Sequence, residues 1–391
     1  MTDHGCMREA VMMRSSRVGA TPPDAAAQGG GAAVACHEMP GTAPVSLRAI
    51  ADRVEARLDE LLTAERERWV AFDPDLAQPV DEIRRLVLSG GKRLRPAFTH
   101  WGYVGAGGGA HDQIDVDAGA AFELMHAFAL FHDDVMDDAT TRRGQVTTHT
   151  LAAEQHAANG WVGESRRYGE GVAILVGDLA FVYADRLMEG ANPEAMRIWN
   201  ELRIELNIGQ YLDILGSVQS IRDVDTAERI CRYKSGKYTI ERPLHLGAVL
   251  AAPERSDELM ASLSAYGLPL GDAFQMRDDV MGAFGEESLT GKSVGGDLRE
   301  GKPTPLLARA VRRATPEQLG VLAEVGAEGL DGHGVARIQQ VIVDTGALAE
   351  LEDHITALTE AAVAAIEEAP IVDAAKTELV ALADYVSWRD V

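Results

Sequence analysis

The stretch Phe128-Ala129-Leu130-Phe131-His132-Asp133-Asp134-Val135-Met136-Asp137-Asp138 runs an apolar helical pattern into four carboxylates, and it constrains the fold more than any other segment. Its apolar part has to be buried, while its acids have to meet water or cations. A helix packed inside a bundle, with its last turn opening on a polar cavity, meets both demands. Residues four apart on a helix share a face with Cβ atoms roughly 5–6 Å apart, so Asp133 and Asp137 point into one cavity. Unpaired acids at that spacing repel. Hard divalent ions such as Mg²⁺ relieve the repulsion by combining a few carboxylates with substrate phosphate oxygens. Arg142 and Arg143 follow closely, and guanidinium groups bind phosphate in a bidentate fork. Alone, such a motif also fits a solvated acidic turn.

A second apolar run, Leu268-Pro269-Leu270-Gly271-Asp272-Ala273-Phe274-Gln275-Met276-Arg277, ends in Asp278-Asp279 and leads into a Gly- and Lys-bearing segment with Lys292, Asp297 and Lys302. Two acidic helix ends, each trailed by cations, predict a cavity that holds a diphosphate between two metal clusters. A third cationic element, Gly90-Gly91-Lys92-Arg93-Leu94-Arg95-Pro96, precedes the first motif. By itself it also fits a basic helix end, where the macrodipole favours positive charge.

These three motifs, in this order and spacing, resemble the trans-polyprenyl (isoprenyl) diphosphate synthase family over roughly residues 46–391. Gly177-Asp178, Gly209-Gln210-Tyr211-Leu212-Asp213 and Lys234-Ser235-Gly236 add to the likeness. The resemblance is to geranylgeranyl diphosphate synthases of actinobacterial and archaeal style, because the first motif has no two-residue insertion. It implies an all-α fold, a single large helical bundle of the isoprenoid synthase type around a deep central cavity. It also implies Mg²⁺-dependent condensation of isopentenyl diphosphate with an allylic diphosphate (dimethylallyl, geranyl or farnesyl), with three ions per site and Mn²⁺ as an alternative.

Residue by residue, the resemblance gives the metal to Asp133, Asp134, Asp137, Asp278 and Asp279. It gives the departing allylic diphosphate to Arg142, Lys234, Lys292 and Lys302, the reacting end to Gln275 and Ser235, and isopentenyl diphosphate to Lys92, Arg95, His126 and Arg143. Gln210 and Asp213 fit a polar cavity wall; Lys237 and Arg242 read as ordinary helix charges. In the family, an aromatic five positions before the first acid with a small neighbour goes with twenty-carbon products. Phe128 and Ala129 stand there and point to geranylgeranyl diphosphate, with fifteen-carbon and longer products as alternatives. A terpene cyclase would not need the Gly90–Pro96 element or His126 and Arg143, and a non-catalytic synthase subunit would be expected to lose acids from the first motif. One departure stands out. Gly282 replaces the last acid expected in the second motif, leaving Asp297 or Glu286 to assist through water.

With 391 residues and 46% hydrophobic content, the chain is long enough for a large core and a deep pocket. A net charge of −24 argues against nucleic acid. Cys6, Cys36 and Cys231 have no metal-ligand spacing and predict a reducing, cytoplasmic setting. No apolar run reaches the roughly 18 residues of a membrane span. Residues 1–45 are rich in Ala, Gly and Pro and are expected to be disordered, with the synthase domain at 46–391. From Ser46 onward Leu47, Ile50, Val54, Leu58 and Leu61 recur at helical spacing. Comparable stretches lie near 76–89, 115–137, 171–189, 194–219, 225–251, 257–284, 304–313, 316–326, 334–343, 347–367 and 371–388. Residues 139–170 and 285–303 read as long polar connections acting as lids. The 171–189 and 194–219 helices suit a homodimer interface.

Overall fold

The computed structural model describes residues 41–219, 223–285 and 295–389. Helix α1 (Val45–Val70) buries Leu47, Ile50, Val54, Leu58 and Leu61 along one face, the stripe that their spacing predicts. Helices α2 (Ala77–Val87) and α3 (Leu94–Gly105) pack beside it. Helix α4 (Gln113–Met136) runs through this half, buried on most sides along Ala118–Met125, and carries the first acids in its last turn. A two-residue hairpin, β1 (Thr141–Arg142) with β2 (Gln145–Val146), follows; helices α5 (Thr148–Ala158), α6 (Ser165–Leu187) and α7 (Pro193–Val218) complete the half.

Helix α8 (Val224–Cys231) runs directly into a π-helical segment, Arg232–Glu241, and then into α9 (Arg242–Ala251). The second acidic helix, α10 (Ser256–Phe284), is followed by α11 (Gly296–Glu300), α12 (Pro305–Arg313), α13 (Pro316–Leu322), α14 (Gly332–Asp344), α15 (Ala347–Glu368) and α16 (Asp373–Trp388). The all-α expectation holds: among the described residues, the hairpin is the sole sheet.

Each acidic helix is the axis of its own apolar cluster. Around α4, Phe122, Leu124 and Met125 meet Leu58, Leu62, Val176 and Trp199. Around α10, Leu263, Tyr266 and Leu270 meet Phe98, Leu379 and Leu382. Full burial of one such side chain is worth about 1.5–3 kcal/mol, so the two helices are fixed by their apolar lengths and their acid-bearing ends are free to face a cavity.

The π segment is wedged between α7 and α10. A Cβ added to Gly209 of α7 would lie 2.5 Å from the Lys234 backbone nitrogen, and one on Gly271 of α10 would lie 2.8 Å from the Gly236 carbonyl oxygen. Glycine at these contacts lets the backbones meet. Lys237 and Arg242, read from sequence as ordinary helix charges, are instead interior: both pair with the buried carboxylate of Glu205, Arg242 at 2.6 Å.

Several element expectations change. Helix α3 falls where no helix is predicted, because Leu94–Gly105 is buried nearly all round and shows no polar stripe to reveal a period. The 139–170 connection is largely ordered secondary structure, with the β1–β2 hairpin and α5, which packs on α6. Its sequence, THTLAAEQHAA, spreads small and polar residues around the helix and gives no amphipathic signal. The predicted helix at 225–251 is interrupted by the π segment. Residues 1–40 and 286–294, which hold most of the N-terminal extension and much of the second predicted lid, lie outside the described residues.

Candidate active site

The hairpin after α4 turns through Arg143 (φ 52°) and Gly144 (φ 72°), with Arg142 paired to Gln145. Two positive φ values in a two-residue loop make a type I′ turn, which suits a tight hairpin. The turn sends the two arginines in different directions. Arg142 folds back on its own helix end, its Nε donating to Asp134 Oδ1 at 2.6 Å and its Nη2 to Asp133 Oδ2 at 3.4 Å. Arg143 donates to the Gly90 carbonyl at 2.7 Å, beside the Lys92–Arg95 element.

Asp133 is the best supported of the acids. Gln210 Nε2 donates to it at 2.9 Å, and the Lys234 ammonium lies 3.5 Å away while bonding Asp213 at 2.6 Å. Burial alone would push Asp133 up, yet Lys234, Arg142 and Lys302 hold it below the usual carboxylate range. Asp134 is nearly fully buried, and loss of water raises it despite Arg142. Desolvation and then repulsion from Asp133 push Asp137 up to about 6. The Lys302 ammonium sits 3.8 Å from Asp137 and 4.0 Å from Asp297, so it reaches both acidic ends.

At the second end, Gln275 donates to Asp279 Oδ1 at 3.0 Å, while the buried Oδ2 of Asp279 has no hydrogen-bond partner. Burial, followed by Asp297, raises Asp279 well above its ordinary value. Asp278 pairs with Arg389 from the chain's C-terminal end, whose guanidinium stacks 4.4 Å from the Phe274 ring centre.

A cavity of about 600 Å³ lies between these two ends. Its wall also carries Lys92, Arg95, His126 and Arg143. Burial, then Arg389, brings Lys92 down to about 8. Arg95 donates to Thr239 at 3.1 Å and lies over the Tyr238 ring, leaving its own buried Nε unpaired. His126 is kept well below its ordinary value by burial and by the surrounding arginines, so the ring is neutral. Among the described residues, no three His, Cys, Asp or Glu side chains already close around a single point. The acids face a shared space instead, which is how Mg²⁺ is held when substrate and water complete its shell. The orphaned Asp279 oxygen and the repulsion felt by Asp137 are both relieved by a cation, so these residues fit the ion that the sequence implies.

Residues 77–342 match the family described as Polyprenyl synthetase. The chain belongs to the polyprenyl synthetase family. It is 33% identical to the geranylfarnesyl diphosphate synthase of Aeropyrum pernix over 316 residues, spanning 78% of this chain and 92% of that one. It is 35% identical to the geranylgeranyl diphosphate synthase of Mycobacterium tuberculosis over 226 residues, 56% of this chain and 59% of the relative. The crystal structure of geranylgeranyl pyrophosphate synthase from Corynebacterium glutamicum, complexed with isoprenyl diphosphate and magnesium, superposes with a TM-score of 0.82 at 36% identity, covering 88% of this chain and 99% of that one. The protein is thus a trans-prenyltransferase with the all-α fold of the isoprenyl diphosphate synthases.

In this polyprenyl synthetase the sequence-assigned residues Lys92, Arg95, His126, Asp133, Arg142, Arg143, Lys234, Ser235, Gln275, Asp278, Asp279 and Lys302 all line the one cavity, as do Gln210 and Asp213. Asp134 and Asp137 adjoin it through Arg142 and Lys302. Lys292 and Glu286 lie outside the described residues. Arg93, from the same basic element, is buried and pairs with Glu123 and, at 2.9 Å, with Glu55, so it locks α3 to α4 and α1. Ala129 lines the cavity, whereas Phe128 stacks one layer outward, with ring centres 4.6 Å from His132 and 4.8 Å from Phe181. Sequence reasoning missed Arg389, Tyr238 and Thr239, all of which line the cavity. An arginine just after Trp388 was the one visible signal for the first; the other two carry none.

Among the described residues, no helix is long and apolar enough to cross a membrane.

Proposed function

We propose that this prenyltransferase condenses isopentenyl diphosphate with an allylic diphosphate in a Mg²⁺-dependent reaction and that its main product is geranylgeranyl diphosphate. The observation that carries this reading is one cavity with two acidic ends and six cations: Arg142, Lys234 and Lys302 pair with the first acids, while Lys92, Arg95 and Arg143 line the cavity without pairing to those acids. A single diphosphate would need one set; two diphosphate substrates need both.

Asp133, Asp134, Asp137, Asp278 and Asp279 would hold the metal, three ions per site, with Mn²⁺ as a substitute for Mg²⁺. When bound, the metal supplies charge neutralisation of the departing diphosphate. The protein's own cations do the rest. Arg142, Lys234 and Lys302 stabilise negative charge as the allylic C–O bond breaks, which is the preorganised electrostatic help that enzymes use most heavily. Lys92, Arg95 and Arg143 hold isopentenyl diphosphate with its double bond toward the allylic carbon, and neutral His126 serves as a hydrogen-bonding neighbour. Gln275 and Ser235 border the reacting end. A new C–C bond forms, and the released diphosphate takes the proton lost from the isopentenyl unit. Lys292 belongs with the allylic set by resemblance. Residues 46–391 make up this catalytic domain.

Ala129 presents a small side chain to the cavity and its neighbour Phe128 stacks on His132 and Phe181; the pairing of one aromatic with one small residue is what supports a twenty-carbon product. Ala129→Phe is expected to shift the product toward fifteen carbons, since overpacking costs typically about 1–3 kcal/mol. Phe128→Ala is expected to lengthen it. Product chromatography after incubation with Mg²⁺, isopentenyl diphosphate and each allylic starter is the central test: failure to lengthen any starter sinks the reading. A homodimer is supported by exposed apolar residues on α6 (Leu175, Val182) and α7 (Ile204, Ile208, Ile214). Light scattering that gives a monomer at assay concentration removes it.

A further inference from the structure

The second acidic motif has a gap at Gly282, and the fold fills it. On α10, Asp278 and Gly282 stand four residues apart on one face, with Asp279 beside them. A Cβ built on Gly282 would fall 1.9 Å from Asp297 Oδ2 and 2.5 Å from Asp297 Cγ. The carboxylate of Asp297, on α11, therefore occupies the volume in which a side chain at 282 would begin.

Three further observations show that this carboxylate faces the site. Asp297 is 8% exposed and lines the same cavity as Asp278 and Asp279. Lys302 lies 4.0 Å from Asp297 and 3.8 Å from Asp137, so Asp297 looks across toward the first acidic end. Asp279, 3% exposed, keeps a buried Oδ2 with no hydrogen-bond partner beside this cluster. A buried, unpartnered carboxylate oxygen is costly unless a cation meets it.

We infer that Asp297 is the third acid of the second metal-binding cluster, delivered from α11 into the place that Gly282 leaves open. This rests on the metal-dependent reading above and deepens it: glycine at 282 is the vacancy that lets Asp297 enter. A larger residue at 282 has to push the carboxylate out. The cluster therefore draws its acids from two elements, α10 and α11, where a continuous motif would draw them from one helix.

The test relocates the acid. The full-length protein is titrated with Mn²⁺ in the presence of inorganic diphosphate and followed by electron paramagnetic resonance, with prenyl transfer assayed in parallel and folding checked by circular dichroism. Asp297→Ala and the shape-conserving Asp297→Asn should each weaken Mn²⁺ binding by about tenfold or more, the scale on which metal sites respond to loss of supporting groups. Gly282→Asp combined with Asp297→Ala should recover much of that loss, because the acid is returned to the same cluster from the neighbouring backbone. Unchanged Mn²⁺ titration in both Asp297 variants overturns the inference. So does a folded double variant that binds Mn²⁺ no better than Asp297→Ala. Asp133→Ala separates the two levels: if it loses Mn²⁺ while Asp297→Asn does not, the proposed reaction stands and the role of Asp297 falls. If the wild-type chain itself binds no Mn²⁺ with diphosphate, both fall together.

Discussion

The two acidic helix ends look alike in sequence and differ in how the protein supports them. Asp133 at the end of α4 is met by Lys234, Arg142 and the Gln210 amide, and Lys234, Arg142 and Lys302 hold it below the usual carboxylate range in spite of its burial. Asp279 at the end of α10 is met by Gln275 on one oxygen, while the other oxygen has no partner and its carboxyl is pushed well upward. At the first end Asp133 is satisfied within the chain, even though Asp137 beside it is pushed upward. The second is held in a costly state that a cation relieves, so it is the end that should respond most to ligand.

The largest effect expected from this contrast is on turnover, where the two ends should behave alike. Asp133→Asn and Asp279→Asn should each lower kcat by about a hundredfold or more, the scale of removing one preorganised electrostatic contact. Steady-state assays at saturating substrate check this, and full activity in either variant breaks the shared-cavity reading.

Binding separates next. Arg143→Ala should raise the KM for isopentenyl diphosphate by about tenfold or more, since a hydrogen bond to a charged group is worth about 1.5–3 kcal/mol, while moving the allylic KM far less. Equal shifts for both substrates would remove Arg143 from its assigned side.

Metal-free stability is where the two ends should part in sign. A carboxyl raised in the folded state loses its contribution as pH rises, and one lowered in the folded state gains it. Between pH 4 and 8, Asp279→Asn should therefore become progressively more stable relative to wild type. For Asp133→Asn the change lies lower: its deficit relative to wild type is fully present above the ordinary carboxylate value, stays flat from about pH 5 upward, and disappears as the solution is acidified below about pH 4. Each difference is about 1–3 kcal/mol where it is fully developed. Melting curves in chelator from about pH 2 to 8 decide it, and matching slopes for the two variants between about pH 5 and 8 erase the distinction.

The smallest effect concerns Lys92, which burial and then Arg389 bring down to about 8. Below that pH its ammonium is present to meet diphosphate; above it the charge is lost. The kcat/KM for isopentenyl diphosphate, which reports on the free enzyme, should fall by several-fold as pH rises through about 8. In Lys92→Arg the fall should move to higher pH. A profile flat to pH 9 in the wild type removes Lys92 from the isopentenyl side.

The acidic motifs were legible because their meaning is local: Asp133 and Asp137 share a face by helical spacing alone, and an apolar run ending in acids has few ways to fold. Helix α3 was illegible because a helix buried nearly all round leaves no polar stripe, and α5 because its small and polar residues leave no apolar one. Lys237 and Arg242 were misread because spacing tells nothing of the buried Glu205 that meets them. Arg389 pairs with Asp278 across 111 positions of chain, and no pattern near either residue announces it. Sequence named Phe128 and Ala129 together, but which of two adjacent residues looks into the cavity depends on how α4 is rotated against α6; Ala129 does, while Phe128 stacks on Phe181.

The π segment at Arg232–Glu241 carries a genetic consequence. Such a segment amounts to an α-helix with surplus residues looped into its turns, and each residue removed swings everything downstream by about 100° relative to everything upstream. A one-codon deletion inside it would give a more regular helix, built from commoner hydrogen bonds. The same lesion would turn Lys234 and Ser235 out of register with Tyr238 and Thr239, so that the two substrate sides of the cavity no longer agreed. Substitutions in this stretch can be graded by chemistry. Indels there should be close to all-or-none, yielding protein that is well folded and unable to join its substrates.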